Sequence, residues 1–294
     1  MSTAPRLIED YDPELTRTSM SALLEVALAL GSYRDSMVLV GGWVPYLLVE
    51  EHGRGDFVHI GSIDIDLAVD PERVDRESYA TIVQLLGSRG YSGRLSRTGE
   101  EIPFSFTKKV PGGGRVIDIQ VDFITSSETE RHRHRHVQPD LPARVAKGCG
   151  IAFRHNFLRD LEGPLPDGGE AECQVRMLDI PGCIGMKGIV LGERYKEKDA
   201  YDIYSVVGHC LDGPEEVARV VAERVNDTEV SFGLDVIARK FRSIGAEGPA
   251  WVATFLQPSD EAMRERLAAD AFVMMDRFLK SLGKGGGRQD PSLA

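Results

Sequence analysis

Cysteine is scarce in this 294-residue chain: Cys149, Cys173, Cys183 and Cys210 stand apart, with no CxxC pair among them. That spacing argues against a zinc ribbon or a thioredoxin-like site and fits a reducing compartment. Long apolar runs are missing too. The longest, near Leu23–Leu30 and Met37–Val40, are too short to span a bilayer. The first ten residues carry no apolar signal core, so a cytoplasmic protein with no membrane partner is expected. Positive charge is in deficit, with 35 Lys and Arg against 46 Asp and Glu and a formal net charge of −11. Such a balance excludes a protein that coats nucleic acid with its whole surface. There is no P-loop, no GxSxG elbow and no internal repeat.

What is present is ordinary globular composition, 42% hydrophobic and 28% charged, long enough to bury a core without disulfide or metal staples. Periodicity predicts a helix over Ser19–Leu30, a buried strand at Met37–Val40 ending in Gly41-Gly42, and a helix over Trp43–Glu50. Ile63–Val69 alternates as a strand, and Glu77–Leu86 reads as a helix. Ile102–Val110 and Arg115–Ile124 read as a hairpin around Pro111-Gly112-Gly113-Gly114. Segments 144–153 and 171–178 are further strand candidates, with 163–169 as a loop. From Ile180 helices dominate, at 181–194, 198–210, 214–226, 231–243 and 259–282. The expected fold is a mixed α/β (α+β) protein. A mixed β-sheet domain with flanking helices spans 1–178, a helical domain 179–283, and a Gly-rich disordered tail 284–294.

The sharpest feature is Ser62-Ile63-Asp64-Ile65-Asp66-Leu67. On a strand, Asp64 and Asp66 share one face, while Ile63, Ile65 and Leu67 face the core. Like charges so close repel unless a cation relieves them, and hard oxygen ligands favour Mg²⁺ or Mn²⁺. A solvated edge strand is the alternative. In Val116–Ile124, residues 118, 120 and 122 share a face, so a third acid joins the pair if this strand neighbours the first. Asp122 is preferred because apolar residues flank it, with Asp118 in reserve. Gly41-Gly42 after a strand can present backbone N–H groups to a phosphate, or can simply turn the chain. Ser62 can add a phosphate contact or make a local hydrogen bond.

Val40-Gly41-Gly42, Asp64-Ile65-Asp66 and Asp122 together resemble the nucleotidyltransferase superfamily typified by DNA polymerase β. The spacer departs from the common form, with about twenty residues between Gly42 and Asp64. Gly-Gly-Trp and Asp-Ile-Asp-Leu are similar to two subgroups: the AbiEii toxins of type IV toxin–antitoxin systems, including MenT-type toxins, and the aminoglycoside nucleotidyltransferases. Lys187, Arg194 and Lys198-Asp199-Ala200-Tyr201-Asp202-Ile203 are similar to a signature of the AbiEii group. Lys187 and Arg194, seven apart, share a helix face. A cation there can neutralise leaving pyrophosphate. Asp202 can orient Lys187 or touch the nucleotide, and an ordinary salt-bridged helix pair is the alternative. The resemblance covers roughly residues 37–210.

The resemblance implies a metal-dependent nucleotidyltransferase that moves NMP from an NTP to an acceptor hydroxyl. For MenT-type toxins that acceptor is the tRNA 3′ end, so translation stops. It implies Asp64, Asp66 and Asp122 as metal ligands, Asp122 and Lys187 as further catalytic groups, and Gly41, Gly42, Ser62, Lys187, Arg194 and Asp202 at the nucleotide. A cognate antitoxin is the implied protein partner. A small-molecule, aminoglycoside-like acceptor and a degenerate binding module are the competing readings.

Arg131-His132-Arg133-His134-Arg135-His136 stands out downstream. Three histidines on one strand face suit zinc, but the interleaved arginines oppose it by charge. Arg131, Arg133 and Arg135 can instead grip RNA phosphates, or belong to a solvated loop. Residues 131–159 carry +6 and leave −17 on the rest, so one basic strip sits in an acidic protein.

Overall fold

The computed structural model describes residues 7–74, 80–126, 133–257 and 259–284. The expected disordered tail, apart from Lys284, and Arg131 and His132 of the basic run lie outside them. In chain order the strands are β1 (Met37–Val40), β2 (Ile65–Val69), β3 (Ser92–Leu95), β4 (Glu101–Gly112), β5 (Arg115–Thr125), β6 (His134–Gln138), β7 (Leu141–Val145), β8 (Asn156–Pro164) and β9 (Glu170–Leu178). The helices are α1 (Pro13–Ala29), α2 (Trp43–His52), α3 (Ile82–Ser88), α4 (Gly150–Arg154), α5 (Ile180–Glu193), α6 (Glu197–His209), α7 (Pro214–Ala222), α8 (Thr228–Lys240), α9 (Glu247–Leu256) and α10 (Glu261–Ser281). Among the described residues no helix is long and apolar enough to cross a membrane.

Packing divides the chain into two compact units. The sheet unit comprises Tyr11–Leu47 and Ile60–Cys183. Among the described residues, the helical unit comprises 7–10, Leu48–His59, 184–257 and 259–284.

The sheet unit is built on one mixed sheet in the order β3-β4-β5-β2-β1-β9-β8, with β7 joining β5 and β6 joining β7. The mixed α/β class expected from the sequence is therefore the class observed. The apolar side of β5 supplies core: Ile117, Ile119, Val121 and Phe123 are all buried. α1 covers β4, β5, β8 and β9. It starts at Pro13 rather than Ser19, because Asp12 caps it by accepting the Leu15 N–H at 2.7 Å and Pro13 occupies the first turn, where no donor is missed. α3 starts at Ile82 rather than Glu77, set by a reciprocal capping box between Thr81 and Gln84. Residues 77–79 of that expected helix lie outside the described set.

Three elements differ from expectation. The strand expected within 144–153 runs over Leu141–Val145 and is followed by the short helix α4. β8 was not expected, since Leu161 alone of its nine residues is fully buried and no apolar alternation marks it. α9 was not expected either, because Gly248-Pro249 reads as a break, although proline is tolerated in a first helical turn.

In the helical unit, α10 packs on α6, α7 and α9, and α6 packs on α9. Segment 48–59 is stitched to the end of α6. Leu211 N–H donates to His52 O at 2.8 Å, Arg54 N–H donates to His209 O at 3.3 Å, and Phe57 stacks on His209 at 3.7 Å. α5 and α8 meet backbone to backbone: a Cβ at Gly188 would lie 2.7 Å from the Gly233 carbonyl carbon, and one at Gly233 2.9 Å from that of Gly185.

Candidate active site

The carboxylates come together through strand register. β2 runs parallel to β5 with Asp66 opposite Asp122, and β4 runs antiparallel on the other side with Ser105 opposite Asp122. Residues in register share a sheet face, so Asp66, Asp122 and Ser105 form a row across three strands. Asp118 sits four residues earlier on β5, opposite Lys109 and exposed, so the register sets Asp122 and not Asp118 beside Asp66.

Asp64 lies in a bend just before β2, not within the strand as expected. The inside–outside alternation still runs through it: Ile63, Ile65 and Leu67 are buried, while Asp64 and Asp66 are half-buried.

Asp122 is held by neutral donors. The Ser105 hydroxyl donates to one oxygen at 2.5 Å and the Gln120 amide donates to the other at 2.7 Å. Among the described residues it pairs with no cation. Sequence reasoning did not single out Ser105. The signal was its place in the hairpin partner of the acidic strand, visible only once the register is known.

Gly41 has φ +75°, and with Gly42 it makes the turn from β1 into α2. A Cβ on Gly41 would overlap Asp66 Oδ2 and lie 2.8 Å from its carboxyl carbon. The glycine therefore serves the carboxylate's position as well as the turn. Ser62 is buried, and its hydroxyl donates to the Asp64 carbonyl at 3.3 Å.

Among the described residues no three His, Cys, Asp or Glu side chains converge into a ready metal shell. Mg²⁺ does not require one, since it commonly binds one or two carboxylates together with waters and substrate phosphates. An all-oxygen carboxylate row beside a glycine turn, with Asp122 unmatched by a cation, suits that mode of binding.

The helical unit holds a buried ion cluster. Lys187 Nζ on α5 lies 3.2 Å from Asp199 Oδ1 and 2.5 Å from Asp202 Oδ2 on α6. Lys198 Nζ donates to Asp202 Oδ1 at 2.7 Å, and His59 Nε2 lies 3.1 Å from the same oxygen. Arg194 binds Asp199 with two nitrogens at 2.8 and 3.1 Å, and 53% of its side chain stays exposed.

Burial works against charge throughout this cluster and mostly loses. It raises the carboxyl groups of Asp199 and Asp202, but Lys187 and its neighbouring cations outweigh it, holding Asp199 below the ordinary range and Asp202 well below it. It lowers Lys187, but Asp202 and Asp199 hold that ammonium above the lysine range. For Lys198 burial prevails and the shift is downward. Burial also pulls His59 down to about 4 despite its contact with Asp202, so the imidazole is neutral at pH 7. No motif or spacing pointed to His59, which stands 143 residues from Asp202.

The basic run splits by face. His134 and His136 alternate with Arg135 along β6, and Arg133 lies in a bend just before it. Arg135 is engaged by Glu72 at 2.7 Å and by the Ser126 carbonyl at 3.5 Å, while Arg133 is exposed.

No curated protein matches the chain. Residues 23–286 match the family described as nucleotidyl transferase AbiEii toxin, Type IV TA system. That stretch takes in the glycine turn, the carboxylate row and the ion cluster, and the chain belongs to the AbiEii family of nucleotidyl transferase toxins.

Proposed function

We propose that this toxin transfers NMP from an NTP to the terminal hydroxyl of an RNA, the tRNA 3′ end, and that a cognate antitoxin opposes it. The carrying observation is the register that sets Asp66 beside Asp122, with Gly41 kept bare against Asp66. Asp64, Asp66 and Asp122 would hold Mg²⁺, or Mn²⁺, which when bound polarises phosphate oxygens and lowers the pKa of an attacking hydroxyl. Ser105 and Gln120 fix the Asp122 carboxylate, so that it can accept the acceptor's proton with little reorganisation. Gly41 and Gly42 offer backbone N–H groups to phosphate, and Ser62 holds the Asp64 backbone.

In the helical unit the same reading assigns phosphate binding to the Lys187, Arg194 and Asp202 cluster. Arg194 presents the exposed guanidinium, and Asp202 fixes Lys187.

The test incubates the protein with each α-labelled NTP and Mg²⁺, with total RNA or an aminoglycoside panel, alongside EDTA controls. Label entering tRNA, lost with EDTA and in Asp64→Ala at unchanged melting temperature, is the expected result. Label in the aminoglycosides, or retained in Asp64→Ala, would overturn the acceptor or the site assignment respectively.

A further inference from the structure

A cation–aromatic cluster lies on the strands next to Asp122. Phe104 lies on β4 where the pairing with β3 jumps from Phe106 to Ile102, so strand alternation does not fix its face and its side-chain contacts place it. The Phe104 ring lies 5.4 Å from the His134 ring at an interplanar angle of 31°, and the Arg144 guanidinium carbon lies 5.9 Å from its centroid. Register brings the other two together. His134 is opposite Arg144 across β6 and β7, and Arg144 is opposite Ile124 of β5, two residues beyond Asp122. Registered partners share a face, as do residues two apart on a strand, so His134 and Arg144 belong to the Asp122 face. Two residues of strand put Arg144 about 7 Å along from Asp122.

The cluster is open. His134 and Arg144 are exposed and Phe104 is half-buried. Among the described residues Arg144 makes no ion pair, whereas Arg135 on the opposite face is engaged by Glu72. An uncompensated guanidinium beside an aromatic ring, with a second ring tilted against it, is the chemistry that stacks an unpaired base and grips its phosphate. The shelf spans a few residues, which suits one or two nucleotides. The −17 carried by the remainder of the chain disfavours a long duplex contact.

We propose that Phe104, His134 and Arg144 form the stacking shelf for the unpaired nucleotides at the 3′ end of the acceptor, beside the one whose hydroxyl reacts. This inference rests on the RNA-acceptor reading above. It moves the nucleic-acid contact from Arg131, Arg133 and Arg135 to the neighbouring histidine face and to Arg144.

The test uses Phe104→Leu, Phe104→Tyr and Arg144→Gln in the full-length protein, each checked for an unchanged melting temperature. Two readouts are taken: transfer kinetics on tRNA, and anisotropy of a fluorescein-labelled single-stranded RNA octamer without NTP. Phe104→Leu and Arg144→Gln should each raise KM for tRNA about tenfold or more and weaken octamer binding alike, with KM for NTP unchanged. Phe104→Tyr should keep wild-type values. Arg144→Gln should lower the salt slope of octamer binding by about one. If the wild type labels no RNA but binds the octamer through these residues, the acceptor reading fails and the shelf stands. If the wild type labels tRNA while both variants keep its KM and the octamer affinity, the shelf is refuted. Equal displacement of the octamer by an acidic peptide, undiminished in either variant, also refutes it.

Discussion

Gly41→Ala separates a glycine needed for a turn from one needed by a carboxylate. Gly41 has φ +75°, where an L side chain costs about 1–2 kcal/mol. For a protein of this size that corresponds to a fall in Tm of about 2–8 °C. The larger effect is local. The new methyl would stand 2.8 Å from the Asp66 carboxyl carbon, against an ordinary contact of 3.4 Å or more, and would overlap Oδ2. Asp66 must move by about 1 Å, a displacement that can cost about 100-fold in rate at a reacting centre. Gly114 is the matched control, with φ +76° and nothing within 4 Å of an added Cβ. Both variants should lose similar stability. Transfer, measured as the initial rate of α-label incorporation, should fall about 100-fold for Gly41→Ala and stay near wild type for Gly114→Ala. Transfer by Gly41→Ala within threefold of Gly114→Ala would refute the claim that Gly41 positions Asp66.

Asp202→Ala removes the partner shared by Lys187, Lys198 and His59, and should cost about 3–5 kcal/mol because it strands buried charge. A Tm fall of about 6–20 °C should register this, and an unchanged Tm would show that the cluster is not structural. Acid should act in two stages. His59 binds its proton near pH 4 when folded but near 6.5 when unfolded, so unfolded chains take up that proton first as pH drops. Between pH 7 and 5 this should remove about 2 kcal/mol, measured by urea unfolding, and His59→Gln should remove that share of the limb, leaving the part due to His209, which burial also lowers. Asp199 and Asp202 have depressed folded pKa values, so their stabilisation is full above the unfolded value of 3.8 and is lost only below it.

The carboxylate row was legible because alternation on a strand needs only one segment to show it. Ile63–Leu67 and Ile117–Phe123 announce their buried faces without reference to partners. The pairing of Asp66 with Asp122 was a conditional expectation, since register depends on strands far apart in sequence. Lys187, Arg194 and Asp202 were visible as a spacing pattern, and the pairing of Asp202 with Lys187 was one of the roles read for it, whereas Lys198 and His59 as further partners of Asp202 were not. His59 was illegible, because an isolated histidine in an irregular segment acquires meaning only when α6 folds against it. β8 escaped notice as an edge strand with one fully buried side chain, which leaves no alternation to read.

The discontinuous helical unit has a consequence for synthesis. Segment 48–59 finds its partners at residues 202–211, and His59 waits 143 residues for Asp202. At about 5–20 residues per second that interval is about 7–30 s. Among the described residues all nine strands of the sheet, including those bearing Asp66 and Asp122, are translated by Leu178, before any residue of α6 exists. Nascent chains released in that interval carry the carboxylate strands without the Lys187–Asp202 cluster. On the phosphate-binding role proposed for that cluster, such chains should transfer no NMP until α6 has been made.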